Sequence, residues 1–128
     1  MKHRGFTVIE IFSVILIAIV VAVVVYTQLT NLQITNRNNI RKSTINSLYY
    51  NLEDIYFPKH RSYPQQITSE TLPGIDNTIL TDPDGHRLGT SESNYRYEPV
   101  NCVDGKCKGY KLRAILEKEA DFVKQNRQ

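Results

Sequence analysis

Residues 6–26 read FTVIEIFSVILIAIVVAVVVY, and only Thr7, Glu10 and Ser13 interrupt this apolar stretch. A helix needs about 20 apolar residues to cross the roughly 30 Å hydrocarbon core of a bilayer. The rest of the 128-residue chain is polar, with scattered Ile, Leu and Tyr, and offers no second stretch of this kind. The sequence therefore predicts one membrane span followed by one small domain.

A short basic segment, Met1-Lys2-His3-Arg4-Gly5, precedes the apolar stretch. Lysine and arginine on this side predict that the N-terminus stays in the cytoplasm and that the C-terminal part lies outside. A secretory signal peptide would need a small-residue cleavage site after the apolar stretch, where Tyr26-Thr27-Gln28 stands instead. Removing the two cations Lys2 and Arg4 would lower the formal net charge from +3 to +1, so the charge does not favour nucleic acid as a partner.

Glu10 places a carboxylate inside the apolar stretch, about one helical turn from its start. An acidic residue inside a membrane helix costs about 2.5–3.5 kcal/mol on insertion scales, and it usually has a partner or a functional role. The alternative is that the Glu10 side chain reaches back to the cytoplasmic headgroups. An ordinary membrane anchor explains the hydropathy but gives no reason for this residue.

The segment Gly5-Phe6-Thr7-Val8-Ile9-Glu10, with a basic leader before it and an apolar helix after it, resembles the processing signal of type IV pilins and of type II secretion pseudopilins. The resemblance implies that a prepilin peptidase cleaves between Gly5 and Phe6 and N-methylates Phe6. It also implies that Phe6, Thr7 and Glu10 serve assembly. Glu10 of one subunit would pair with the Phe6 amine of a neighbour and fix the register between them, because an unpaired charge in a low-dielectric core is costly.

The same resemblance implies the partners and the location of the chain. It would polymerise with itself and with minor pilins, helped by an assembly platform protein and a cytoplasmic ATPase, and it would contact membrane lipid before assembly. It would sit in the bacterial cytoplasmic (inner) membrane and then in an extracellular filament. Many family members carry Gly and Pro where this chain has Ile19 and Thr27, so unwinding of the helix on assembly stays open.

The pattern predicts one helix from about Phe6 to Tyr56, ended by Phe57-Pro58. Together with the resemblance, this pattern implies four segments: a leader 1–5, a transmembrane and polymerisation helix 6–27, an amphipathic continuation 28–57 and a small β domain 58–128. The fold class is α+β, with the second half of the long N-terminal helix packed on a small antiparallel sheet, which the resemblance identifies as the pilin fold. At 100° per residue the helix carries an apolar stripe for this packing: Ile34, Ile45, Leu48, Tyr49, Leu52, Ile55 and Tyr56.

The C-terminal part carries the strand signals. Residues 95–100 alternate between apolar and polar, as do residues 110–114 before Ile115-Leu116-Glu117, and Asp104-Gly105 between the two segments is typical of a hairpin turn. Residues 65–94 are predicted to be loops, and the charged tail 118–128 is expected to fray or to form a short helix. Five residues of the hairpin are predicted to face the helix: Tyr95, Tyr97, Tyr110, Leu112 and Ala114.

Cys102 and Cys107 flank the hairpin turn. A disulfide is their simplest state outside the cytoplasm, and closing so short a loop would contribute about 2 kcal/mol. A zinc site would need further ligands, and His60 and His86 are not suitably spaced. The run 82–85, Asp-Pro-Asp-Gly, resembles the start of a calcium loop, but Ser93 stands where its final glutamate is needed, so a tight turn is favoured. No metal and no cofactor is predicted.

The predicted function is that of a structural subunit of a type IV pilus-like filament, and not that of an enzyme. One alternative is a pseudopilin of a secretion or competence pseudopilus, and another is a single-span membrane-anchored binding module. Nucleic acid is a possible but unsupported partner, because a solvated strand face explains the cations of the hairpin more simply: Lys106, Lys108, Lys111 and Arg113.

Overall fold

The structure is a computed structural model that describes residues 5–127. The chain divides into two compact units, residues 1–35 and 36–128. Most of the predicted leader, Met1–Arg4, lies outside the described residues. The elements in chain order are helix α1 (Val8–Tyr50), a π-helical segment (Asn51–Tyr56), helix α2 (Phe57–His60), strand β1 (Tyr63–Pro64), a 3-10 turn (Asn77–Leu80), and strands β2 (Tyr95–Val103), β3 (Lys106–Ala114) and β4 (Phe122–Gln125).

The first unit contains the apolar part of α1. Every described residue from 5 to 29 is exposed. The helix is long and apolar enough to span a membrane, with a mean hydropathy of 3.2 over its most apolar window and none of that window buried in the protein. Its valine-rich run 20–25 is α-helical although β-branched residues have weak helix propensity. In an apolar medium only a helix satisfies all backbone groups within one segment, so a membrane environment would favour the helical form of this run over its weak propensity.

The second unit contains an antiparallel sheet of four strands, which confirms the α+β class. β2 pairs with the whole of β3, from Tyr95 opposite Ala114 to Val103 opposite Lys106. Because β2 occupies one edge of β3, β1 and β4 pair with its other edge. The hairpin turn places Asp104 at φ 50° and Gly105 at φ 77°, the two positive angles that a type I′ turn requires.

The core of the second unit lies between one face of the helix and one face of the sheet. Ile45, Leu48 and Leu52 of the helix are fully buried. Four of the five hairpin residues predicted to face them are buried as well, and Tyr97 is half-buried. Burying such a side chain contributes about 1.5–3 kcal/mol. The loop between the helix and the sheet completes the core with Ile67, Leu72, Ile75 and Leu80.

The predicted end of the helix at Phe57-Pro58 is wrong. The π-helical segment is followed by one more α-helical turn, Phe57–His60, with Pro58 in its first positions. The N–H of Phe57 still bonds to the Leu52 carbonyl five residues back, whereas Pro58 has no N–H to continue these bonds. The chain leaves the helix at Arg61, which has the left-handed φ of 53° and donates its N–H to the Phe57 carbonyl.

The prediction that Ile55 belongs to the core stripe is also wrong, because its side chain is 47 % exposed. In a π-helical turn the hydrogen bonds skip one residue more than in an α-helix, so each residue turns through a smaller angle. Within residues 51–56 this change keeps Leu52 in the core, brings Glu53 inward and turns Ile55 outward.

The tail predicted to fray or to form a short helix is instead strand β4, which pairs Phe122 with Ala114 and Gln125 with Lys111. The unpaired edge of β3 supplies the backbone partners that the tail alone lacks. Arg127 then holds the end of the described chain, because its Nη1 lies 2.7 Å from Oδ1 of Asp54.

Candidate functional site

The predicted processing residues lie at the exposed start of the described chain. Gly5 and Phe6 precede α1, and the Phe6 side chain is 83 % exposed. Nothing within 4 Å would meet a Cβ added at Gly5. The peptide bond between Gly5 and Phe6 is therefore accessible within the protein.

Thr7 and Glu10 form a capping box at the start of α1. The N–H and the hydroxyl of Thr7 both donate to Oε2 of Glu10, at 2.7 and 2.9 Å. In return, the N–H of Glu10 faces Oγ1 of Thr7 at 3.4 Å and donates to the Thr7 carbonyl at 3.1 Å. The first N–H groups of a helix lack acceptors, and this reciprocal arrangement supplies them. The Glu10 carboxylate therefore has hydrogen-bond partners within its own chain and does not require a neighbouring subunit to supply them.

The serine and threonine hydroxyl groups of the first unit also find partners within the helix. Ser13 donates to the Glu10 carbonyl at 2.9 Å, and Thr27 donates to the Val24 carbonyl at 2.8 Å. Thr30 and Thr35 make the same kind of bond to carbonyls four residues earlier. Such back-bonding lets a polar side chain sit in an apolar medium without an external partner.

A cluster of charged and polar residues on α1 holds the segment that follows β3. The cluster consists of Arg37, Asn38, Arg41 and Lys42 together with Glu117 and Glu119, and we call it the polar clamp. Arg37 binds Glu117 through two nitrogens, at 2.7 and 2.6 Å. The Asn38 side-chain amide pairs with the backbone of Glu117, donating to its carbonyl at 2.8 Å and accepting from its N–H at 3.0 Å.

Arg41 is the buried member of the polar clamp, with 2 % of its surface exposed. It contacts Glu117 at 3.0 Å and Asp84, in the loop before β2, at 2.6 Å. A buried guanidinium needs such partners, because its transfer from water without them is strongly unfavourable. The polar clamp thereby fixes two loops of the second unit against one face of α1.

The polar clamp sets the ionisation of its carboxylates. The hydrogen bond from Arg37, followed by the Coulomb attraction of Arg37 and Arg41, lowers the pKa of Glu117 to about 2. The hydrogen bond from Lys42 lowers the pKa of Glu119 as well. Both groups therefore stay charged in the folded protein at neutral pH.

Sequence reasoning missed the polar clamp, although a signal was present. Arg37 and Arg41 are four residues apart and thus lie on the same helix face. Like charges at that spacing repel each other unless an acidic partner lies between them. The sequence could not show which of the acidic residues is that partner.

The residues that resemble the start of a calcium loop are engaged by hydrogen-bond donors. Oδ1 of Asp82 accepts from the N–H groups of Asp84 and His86, at 3.0 and 2.8 Å, and Oδ2 accepts from the N–H of Asn94 at 2.7 Å. Burial raises the pKa of Asp82, but these donors outweigh it and the pKa lies below its ordinary value. Asp84 is bound by Arg41 and Asn94. The arrangement is a tight turn, as predicted.

No group of three or more His, Cys, Asp and Glu that could hold a metal ion occurs among residues 5–127. Each of the two histidines in that range contacts a residue four positions earlier. His60 stacks on Tyr56 with ring centroids 4.0 Å apart, and Nδ1 of His86 lies 3.9 Å from the Asp82 carboxylate.

The predicted disulfide joins Cys102 to Cys107 next to the hairpin turn. Of the four cations of the hairpin, Arg113 is paired with Glu98 at 2.8 Å and lies 3.7 Å from Asp121. The other three, Lys106, Lys108 and Lys111, are exposed. The exposed lysines fit the solvated strand face that the sequence favours over a nucleic-acid surface.

Comparison of the chain with models of protein families, with curated proteins and with solved structures finds no match. The pilin-like family suggested by the N-terminal motif therefore stays a proposal, and its support comes from the residues of this chain.

Proposed function

We propose that this chain is a structural subunit of a type IV pilus-like filament. A prepilin peptidase would cleave it between Gly5 and Phe6 and methylate the new amine of Phe6. The processed subunit would reside in the inner membrane with its second unit outside. An assembly platform protein and its ATPase would then transfer the subunit into the filament.

The observation that carries this proposal is an apolar helix with no apolar partner among the described residues of its own unit. Residues 5–29 are exposed throughout, including large side chains such as Phe12, Leu16 and Ile17. Exposed apolar surface of this extent marks a membrane or protein interface. Lipid can cover it in a single subunit, and neighbouring helices can cover it in a polymer. The buried hydrophobic core lies in the second unit and contains no residue of this surface.

The capping box adds a role for Glu10 in both states. In the single subunit its carboxylate is held by Thr7, which offsets part of the cost of placing a charge in the membrane. In the filament the same carboxylate would exchange Thr7 for the Phe6 amine of a neighbour. Because two opposite charges in a low-dielectric core must meet, this exchange would set the register of packing.

Two variants separate the capping role of Glu10 from its charge. Glu10→Gln keeps an acceptor oxygen for Thr7, since glutamine also completes a capping box, but it removes the charge. Thr7→Val keeps the charge and removes the hydroxyl. Filaments sheared from cells would be counted by electron microscopy, and membrane fractions would show that each variant is inserted. We expect Glu10→Gln to abolish filaments and Thr7→Val to reduce them. Normal filaments with Glu10→Gln would contradict the role proposed for the charge.

A further inference from the structure

The π-helical segment buries an acidic side chain, that of Glu53, and exposes an apolar one, that of Ile55. Glu53 is 7 % exposed, whereas Ile55, two residues later, is 47 % exposed. The hydrophobic effect favours the reverse arrangement, in which the isoleucine is buried and the carboxylate meets water. A specific interaction must therefore hold Glu53 inside.

Two tyrosine hydroxyls supply that interaction. The hydroxyl of Tyr110 donates to Oε1 of Glu53 at 2.9 Å, and the hydroxyl of Tyr63 donates to the same oxygen at 3.1 Å. Both tyrosines are 1 % exposed, and they come from β3 and β1. Burial, followed by the hydrogen bond to Glu53, raises the pKa of each hydroxyl, so both keep their protons and act as donors.

The sequence of this segment fits two helical registers. At the α-helical spacing of 100° per residue, Ile55 continues the stripe of Leu48 and Leu52, and Glu53 lies off that stripe. The π register of the structure brings Glu53 to the two tyrosines instead and turns Ile55 outward. The apolar pattern thus favours one register and the hydroxyl–carboxylate bonds favour the other. Conflicts of this kind between local pattern and tertiary contact concentrate at functional elements, and π turns do so as well.

We propose that residues 51–56 are a helix-register switch in which the bonds of Glu53 to Tyr63 and Tyr110 select the π register. Without these bonds the segment becomes α-helical, Glu53 moves towards solvent and Ile55 joins the core. The switch controls a surface feature, a cleft of about 320 Å³ lined by Asn51, Ile55, Tyr56, His60, Leu72 and Pro73. Because Ile55 forms part of its wall, the cleft has this shape only in the π register. The proposal rests on the fold of the second unit and is independent of filament formation.

A cysteine reporter at position 55 tests the switch. Ile55→Cys is introduced into the full chain in detergent micelles, with the Cys102–Cys107 disulfide kept intact, and its reaction rate with a maleimide is measured. The rate is compared with that of a chain that also carries Tyr63→Phe and Tyr110→Phe, which lose only the two hydroxyls. We expect labelling at position 55 to slow by about tenfold or more, as the reporter becomes protected in the α register.

Two control variants separate a change of helix register from a general loosening of the fold. Tyr50→Cys, at a 54 % exposed position before the π-helical segment, is expected to react equally fast in both backgrounds. Glu53→Gln keeps an oxygen that accepts from the tyrosines, so the position 55 reporter is expected to stay reactive. Unchanged labelling at position 55 in the double phenylalanine chain would overturn the switch. Faster labelling at both positions would also overturn it, because the hydroxyls would then hold the fold together rather than choose a register.

Discussion

The two units of this chain treat polar and apolar side chains in opposite ways. In the first unit, large apolar residues such as Leu16 and Ile17 are exposed, and the hydroxyls bond to their own helix. In the second unit, apolar residues fill a core, and the charged residues Arg41 and Glu53 are buried with partners from distant segments. The difference teaches that the stability of the second unit comes from within the chain. The apolar surface of the first unit is exposed, and under the proposed function lipid or other subunits would cover it.

The largest expected effect concerns burial. Leu48→Ala, at a fully buried position, should lower the free energy of unfolding of the second unit by about 2–5 kcal/mol, because it leaves a cavity. Leu16→Ala is the matched control at a 65 % exposed position, and it should change that free energy by less than about 0.5 kcal/mol. Denaturant unfolding of the full chain in micelles, followed by tyrosine circular dichroism, measures both. Equal changes in the free energy of unfolding for the two variants would contradict the difference between the units.

The next effect concerns the polar clamp. Arg41→Met removes the buried guanidinium and should cost about 3 kcal/mol, the lower end for breaking a buried ion pair, since Asp84 and Glu117 retain contact with water. Lys42→Met removes a pair whose side chains are 32 % and 44 % exposed, and it should cost less than about 1 kcal/mol. The same unfolding measurement compares them. A cost for Lys42→Met as large as that for Arg41→Met would show that burial is not what makes Arg41 matter.

The disulfide should have a smaller effect. Replacing both Cys102 and Cys107 by Ser should lower the free energy of unfolding by about 2 kcal/mol, because the crosslink restricts the unfolded chain over a short loop. Reducing the parent protein with dithiothreitol serves as the matched control and should give the same unfolding midpoint as the variant. A parent protein whose midpoint does not move on reduction would contradict this expectation.

The smallest expected effect is an acid dependence that Arg37 creates. The folded-state pKa of Glu117 is about 2, below the value of 4.5 for a free glutamate. Its contribution to stability is therefore present above about pH 4.5 and is lost as the pH falls towards about 2. Arg37→Ala should reduce the difference between the free energies of unfolding at about pH 6 and about pH 3. A variant with the same acid dependence as the parent would assign that dependence to other carboxylates.

Features that depend on neighbouring residues were predictable from the sequence. The span follows from an unbroken apolar run, and the hairpin follows from alternation around Asp104-Gly105. The capping box was also predictable, because Thr7 and Glu10 have the spacing of that motif. The charge argument considered only the cost of the Glu10 carboxylate in a membrane and did not include Thr7.

Features that depend on distant residues were not predictable. Arg37 and Glu117 are 80 positions apart, and nothing in the sequence identifies them as partners. The π-helical segment depends on Tyr110, 57 positions from Glu53, so periodicity alone assigned Ile55 to the core. Strand β4 needed the free edge of β3, which a tail taken by itself does not reveal.

The central claim is that this chain is a processed subunit of a filament, and the intact mass of the protein from its native cells tests it most directly. We predict a chain that lacks Met1 to Gly5 and begins with N-methylated Phe6. A mass that includes the leader, or one that corresponds to cleavage beyond Tyr26, would contradict the claim.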